Sequence, residues 1–308
     1  PPHTLPPPPP TPPPGLGRRQ RQMCIRDSAT LAIASRYPVR ILSIPPADFS
    51  FGRSLNMGCA AATNKLIAIA SAHVYPVYRD WLEKLLAPFV DPQAALVYGK
   101  QRGDQRTQYA EHRVFAQWFP DETNLCQRHP FCNNANAAIR RELWEEFPYD
   151  EELTGLEDLH WANWATSEGY CLAYVAEAEV IHVHDETPGQ TYNRYRREAM
   201  AFKQIFPQER FGLSDCARLW AANVWSDYRQ GWKDGVLGQE WLSISRFRLM
   251  QFWGTYVGYR QHQPVSQQLR RTFYYPNHQG QREDEPGEQQ SGLRIPYEQA
   301  LQYSDESH

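Results

Sequence analysis

Short apolar runs separated by stretches of helical periodicity set the pattern of this chain from about residue 30 onward. Residues 39–44, 66–70, 94–99, 132–139, 170–175 and 180–184 are apolar enough, and bounded by enough turn-forming residues, to read as strands. Between them apolar positions recur at helical spacing over 54–62, 78–89, 141–147 and 156–167, and residues 29–35 read as the end of an earlier helix. Strands alternating with helices in this way predict an α/β fold, with a mostly parallel sheet flanked by helices on both faces. Residues 100–131 are polar and irregular, and their length predicts a functional loop or lid. Beyond residue 188 the pattern is helical to about 205, and further helices are predicted over 213–232 and 239–259.

Composition sharpens the boundaries. The chain has 308 residues and 25 prolines, ten of them within residues 1–14, so that segment can only be extended polyproline or disorder. Residues 1–28 read as foreign to the rest of the chain, the string around Met23 resembles translated adapter sequence, and the first residue is Pro rather than Met. The expected organisation is 1–28 as a disordered segment, 29–207 as the α/β unit, 208–275 as a helical region and 276–308 as an acidic, disordered tail. Mean hydropathy is −0.67 and no apolar run reaches a membrane-spanning length. Six cysteines without a CxxC pair predict neither a zinc knuckle nor a disulfide framework, and a reducing, cytoplasmic setting.

Charge is segregated. Between residues 241 and 282 there are six Arg and no Asp or Glu, interleaved with nine aromatics, whereas residues 283–308 hold seven acids against Arg294. A single basic, aromatic block set in an otherwise acidic chain argues against a nucleic-acid binder. In the helix over 241–259, Leu242, Phe247, Leu249, Met250, Trp253 and Val257 are predicted to share one broad apolar face, with Arg246 and Arg260 at its edges and Arg270 and Arg271 beyond. Such a helix would lie peripherally on an anionic membrane surface, pack against Trp220, Val224 and Tyr228 of the preceding helix, or do both.

Three places could carry chemistry. Glu157-Asp158 follow Gly155 at the opening of a helix, where acids cap the first turn or where one of them can act as general base toward a hydroxyl. Ser71-Ala72-His73 end an apolar strand, the end at which open α/β sheets place ligands. His182 and His184 end another strand on one face and could converge on a metal or a phosphate, and Arg194, Arg196 and Arg197 form a basic cluster nearby in sequence.

The order of Gly52-Arg53-x-x-Asn56, the strand ending in Ser71-Ala72-His73, Asn134-Ala135-Asn136 and Glu157-Asp158 resembles bacterial family-2 glycosyltransferases of the GT-A fold, nearest to rhamnosyltransferase-like members, over about residues 29–207. The resemblance implies an inverting transfer of a sugar from a nucleotide-sugar donor to an acceptor hydroxyl in bacterial surface-glycan synthesis. The acceptor would be a glycan or a lipid-linked one, at the inner face of the membrane. Asp158 would be the catalytic base and Glu157 would orient the acceptor, while Arg53, Ser71, His73, Asn134, Asn136, Arg194 and Arg197 would hold the donor and its diphosphate. His73, with His182 and His184, would hold a divalent cation, Mn²⁺ or Mg²⁺. The resemblance implies two departures: Ser71-Ala72-His73 would occupy the place of the family's Asp-x-Asp, and the family's first βαβ unit is expected to be absent, so that the chain would be truncated at its N-terminus. The alternative reading is a non-catalytic sugar- or polyanion-binding module on the same scaffold, or an inactive fragment.

Overall fold

The computed structural model of the chain describes residues 33–261 and Ile295. Its centre is one mixed sheet of six strands: β1 (Leu66–Ala70), β2 (Val74–Pro76), β3 (Ala94–Arg102), β4 (Asn124–Gln127), β5 (Asn136–Arg140) and β6 (Cys171–His182). They run in the order β1-β5-β3-β6-β2, with β4 also paired to β6.

The central strands obey a period of two. On one face Leu96 and Tyr98, Ala137 and Ile139, and Leu172 and Tyr174 join a core with Trp144 and Trp161. On the other, Val97, Ala138, Ala173 and Val175 meet Leu85 and Phe89. Helices α1 (Phe51–Ala61), α3 (Tyr109–Trp118), α4 (Arg141–Glu146) and α5 (Glu157–Ser167) contribute to the first core, and α2 (Trp81–Leu86) with the 3-10 turn Ala87–Val90 covers the second.

Several expectations are corrected. The sheet is flanked by helices as the pattern implied, but it is not mostly parallel: among the described strands only β3 and β6 run parallel, and the other pairings are antiparallel. Residues 39–44 form no strand among the described residues. Residues 100–131 are not an irregular loop, since they finish β3 and contain α3 and β4. The strand expected over 132–139 starts only at Asn136, because the Asn133 side chain accepts from Ala135 N at 2.9 Å and holds the chain in a turn. The two strands expected over 170–175 and 180–184 are one: Gly99 pairs with Val175 and Gln101 with Val180, so residues 176–179 bulge out. Cys126 and Cys171 are joined in a disulfide between β4 and β6, contrary to the expectation of free thiols in a reducing setting. Their separation of 45 residues offers no spacing motif that would reveal them.

After the sheet come α6 (Pro188–Ile205), α7 (Leu213–Lys233) and α8 (Leu237–Arg260). A capping box starts α6, in which Thr187 Oγ1 accepts from Gln190 N while Gln190 Oε1 accepts from Thr187 N, with Pro188 at the first helical position. Helices α7 and α8 form an antiparallel hairpin closed by Arg248 and Asp227, an ion pair of 2.7 Å with both side chains 3% exposed. Helix α8 also lies against α6 at very close range. A methyl group on Gly254 would stand 2.5 Å from Tyr192 O, and one on Gly258 would press still closer on Arg196 O. The 1–28 segment, Arg270, Arg271 and almost all of the 276–308 tail lie outside the described residues. Ile295, within the tail expected to be disordered, donates its N–H to Val77 O at 3.0 Å.

Gly258→Ala should therefore destabilise the protein by roughly 1–3 kcal/mol, the cost of overpacking, although Gly→Ala inside a helix is ordinarily favourable. Denaturant unfolding of the variant against the parent measures it, and an unchanged midpoint would mean that the helices separate freely.

Candidate functional site

The site lies along the end of the sheet where β1 stops and β6 ends. Ser71 N donates to Ala135 O at 3.2 Å, and Val183 N donates to His73 O at 3.0 Å, so the segment after β1 is tied both to the turn before β5 and to the chain after β6. The result is a cluster of three imidazoles. The His73 ring lies 4.7 Å from that of His182 and 5.9 Å from that of His184, and one ligating nitrogen of each falls within 4.8 Å of the others.

Two neighbours orient the inner pair. Glu111 on α3 accepts from His184 Nδ1 at 2.7 Å, and Gln101 Oε1 accepts from His182 Nδ1 at 2.7 Å. Both Nε2 atoms then face each other at 3.0 Å. His182 is buried, and burial, followed by the neighbouring His184, His73 and Arg194, holds its pKa well below the usual imidazole value. A neutral His182 with Nδ1 protonated presents an Nε2 lone pair to His184, an arrangement that a cation between the rings would stabilise. The donor set and its outer hydrogen bonds thus fit a divalent ion.

Glu111 is 2% exposed. Burial pushes its pKa up, but the His184 hydrogen bond and the Arg194 charge outweigh that and leave it below the ordinary carboxylate value. Arg194 bonds Glu111 at 2.5 Å and Glu186 at 2.8 Å, so its guanidinium is engaged in holding the cluster from behind. Phe115, one turn after Glu111, packs its ring within 6 Å of both inner histidines, at 5.9 and 5.6 Å.

The acid pair forms a second focus. Leu156 sits in the left-handed region, with φ 56°, a conformation that costs a non-glycine residue of the order of 1 kcal/mol, and it turns the chain directly into Glu157. Asp158 Oδ2 accepts from Asn134 N at 3.0 Å and Oδ1 from Leu159 N at 2.8 Å. Burial raises the pKa of both acids. For Glu157 burial and then the Asp158 charge push it to about 8, while the two backbone N–H groups on Asp158 favour its ionised form. Burial thus holds both acids above their ordinary values, and Asp158 is the one whose ionised form two backbone N–H groups favour.

The remaining expected residues are distributed unequally. Arg197 approaches the acid loop, since a methyl group on Gly155 would lie 3.3 Å from its Nε, and its guanidinium stacks 4.8 Å from the Phe51 ring. Arg53 is half-exposed on α1, 4.0 Å from Glu151. Asn134 contributes its backbone N–H to Asp158, and its Oδ1 accepts from Tyr149 OH at 3.4 Å. Asn136 is fully buried inside the sheet, with Oδ1 accepting from Trp81 Nε1 and Nδ2 donating to Lys100 O and Ala178 O, so its amide is committed to structure. Asn56 is committed likewise, clamping Tyr149, Glu151 and Trp144 beneath the acid loop. Glu111 and Gln101 were not foreseen. Ala110, Val114, Phe115 and Trp118 do carry a helical period that marks α3, but nothing in the sequence marks Glu111 as facing a histidine.

Residues 26–201 match the family model described as glycosyltransferase like family 2. The O-antigen chain rhamnosyltransferase WbaN of Salmonella anatum is 32% identical over 56% of this chain and 60% of its own length. RfbN of Salmonella typhimurium, another O-antigen chain rhamnosyltransferase, is 30% identical over 51% of this chain and 54% of its own. The chain thus spans somewhat more than half the length of these curated relatives. Among solved structures, the mannosyltransferase PcManGT from Pyrobaculum calidifontis, in complex with GDP-Man and Mn²⁺, is 16% identical, covering 82% of this chain and 74% of that one with a TM-score of 0.46.

The raised pKa of Glu157 has a thermodynamic consequence. A carboxyl that titrates higher in the folded than in the unfolded chain favours folding fully below its unfolded pKa, and that contribution is lost as pH rises through the folded value of about 8. Melting temperatures of the parent should therefore fall relative to those of Glu157→Gln between about pH 5 and about 8, and parallel curves would place an ionised Glu157 in the folded state.

Proposed function

We propose that this chain, which belongs to glycosyltransferase family 2, transfers a sugar from a nucleotide-sugar donor to an acceptor hydroxyl, with inversion at the anomeric carbon, in the assembly of an O-antigen-type surface glycan. The family assignment rests on the match over residues 26–201, and the O-antigen chain rhamnosyltransferase relatives support a rhamnose-class donor and a glycan acceptor. The observation that carries the mechanism is the coupling of the two foci by one turn. Asn134 N–H fixes Asp158, and the next residue, through Ala135 O, fixes Ser71 two positions before His73.

In this reading Asp158 takes the proton of the acceptor hydroxyl as its oxygen forms a bond to the anomeric carbon from one side of the sugar. The bond from that carbon to the diphosphate breaks on the other side, and the electron pair leaves with the diphosphate. The two backbone N–H bonds favour the ionised form of Asp158 against its burial and fix its carboxylate plane, leaving lone pairs free to receive the proton. Glu157, whose protonated form burial favours, then has an O–H to donate to an acceptor oxygen. Arg197, beside the acid loop, adds positive charge for phosphate oxygens. His73, His182 and His184 are the residues that would hold a divalent cation, which would supply positive charge against the departing diphosphate.

Asp158→Asn should lower turnover by about 10²–10⁴-fold, with donor binding altered by less than about threefold, because a carboxamide keeps the shape but accepts no proton. Initial rates with a nucleotide-rhamnose donor, paired with donor titrations, provide the comparison, and substantial residual turnover would remove Asp158 as the base. A second outcome concerns the ion. Three imidazoles without a carboxylate ligand should bind Mn²⁺ more tightly than Mg²⁺. Calorimetric titration should register Mn²⁺ binding by the parent and at least about a tenfold loss in His73→Ala, an exposed position where the change spares the core. Equal affinity for the two ions would argue for a different ligand set.

A further inference from the structure

The hairpin of α7 and α8 carries a surface that sugar transfer does not use. On α8, Ile244, Phe247, Arg248, Gly254 and Gly258 face inward. The six-residue apolar face expected from the sequence is therefore split: Phe247 is buried, while Leu242, Leu249 and Trp253 remain 57%, 45% and 42% exposed. With about 100° per residue, Leu242, Arg246, Leu249, Trp253 and Arg260 fall in one stripe on the side opposite the buried face. The same construction on α7, whose inward residues are Cys216, Val224, Asp227 and Gly231, places Arg218, Trp225, Arg229 and Trp232 in an outward stripe. Trp225 and Trp232 are 72% and 75% exposed.

The two stripes share one side of the hairpin. Helix α7 meets α8 through Trp220, Tyr228 and Asp227, which bond Ser245, Trp241 and Arg248. On each helix the outward stripe begins on the same rotational side of that contact line, and for antiparallel helices this brings both stripes to one flank. The flank combines indole and leucine with arginine; Asp227 and Glu240 fall elsewhere on their helices, and Asp215 stands at its edge, paired with Arg218 at 3.3 Å. Among the described residues no helix is long and apolar enough to cross a membrane.

We propose that this flank docks the protein peripherally on an anionic membrane surface. Indole rings prefer the headgroup level, where their apolar body and N–H are both accommodated, and leucines one or two turns away reach the acyl boundary. Arginines interleaved with them pair with lipid phosphates, so that charge draws the protein down and apolar contact holds it. A protein partner would have to match Arg229, Arg246 and Arg260 spread along two helices in one register, whereas an anionic bilayer needs no such register. The inference stands on surface chemistry alone and does not depend on the transferase reading.

Flotation of the full chain with vesicles of phosphatidylcholine containing about a quarter phosphatidylglycerol tests it, beside pure phosphatidylcholine and beside about 0.5 M salt. The expected result is binding to the anionic vesicles at low salt, weakened by salt and by removal of the anionic lipid. Arg229→Glu combined with Arg246→Glu should reduce it by about tenfold or more, as should Trp225→Ala combined with Trp253→Ala, since each pair removes one of the two contributions. All four positions are exposed, and unchanged circular dichroism and melting would confirm that each variant folds. Protein remaining at the bottom of the gradient, equal binding to neutral vesicles, or variants that bind like the parent would overturn the proposal. So would sedimentation analysis revealing a dimer that the Trp variants dissociate, because the flank would then belong to a second copy of the chain.

Discussion

One buried carboxylate joins the parts of this molecule. Glu111 leaves α3 with almost no solvent contact and accepts from His184 at the end of β6 and from Arg194 on α6. Sheet, cross-helix and C-terminal layer meet on its Oε1 atom. Isolated, such a charge would be prohibitively unfavourable, and the two donors make it tolerable only if all three elements arrive together. The same helix that brings Glu111 also brings Phe115 against the histidines and Ala110 against Ile244 and Phe247 of α8. The histidine cluster is thus set by a polar tie and an apolar wedge one turn apart.

The acid pair achieves its asymmetry by a different route. Glu157 and Asp158 are adjacent, so their identities alone assign no roles. Two backbone N–H groups reach Asp158, and the strained turn at Leu156 delivers Glu157 into a buried setting. Environment, rather than residue type, therefore distinguishes the two carboxyls.

Much of this was legible in the sequence. Apolar runs disclosed β1, β3 and most of β6, the helical pattern from residue 188 disclosed α6, and strand-end positions singled out His73, His182 and His184. What escaped detection depended on partners far away in the chain. Helix α3 was hidden because its polar residues look like a loop, although one of them, Glu111, is buried against His184. The direction of the strands was misread because a run buried on both faces looks alike whether its neighbours are parallel or antiparallel. Asn56 and Asn136 attracted attention as polar residues in a motif, but their amides turned out to be rivets of the scaffold. On α8 the error lay in treating every apolar residue as belonging to one face, when two glycines on the opposite side decide how the helix lies.

Those two glycines impose an uneven freedom on the helix that carries them. At Gly254 and Gly258 the backbone of α6 leaves no room for a β-carbon, so the inner seam admits only one residue type at each position. A few ångströms away, the outward positions of the same helix touch nothing that the sheet depends on. Drift along this helix is accordingly channelled: its outer surface can be rewritten residue by residue, while the seam behind keeps its register against α6.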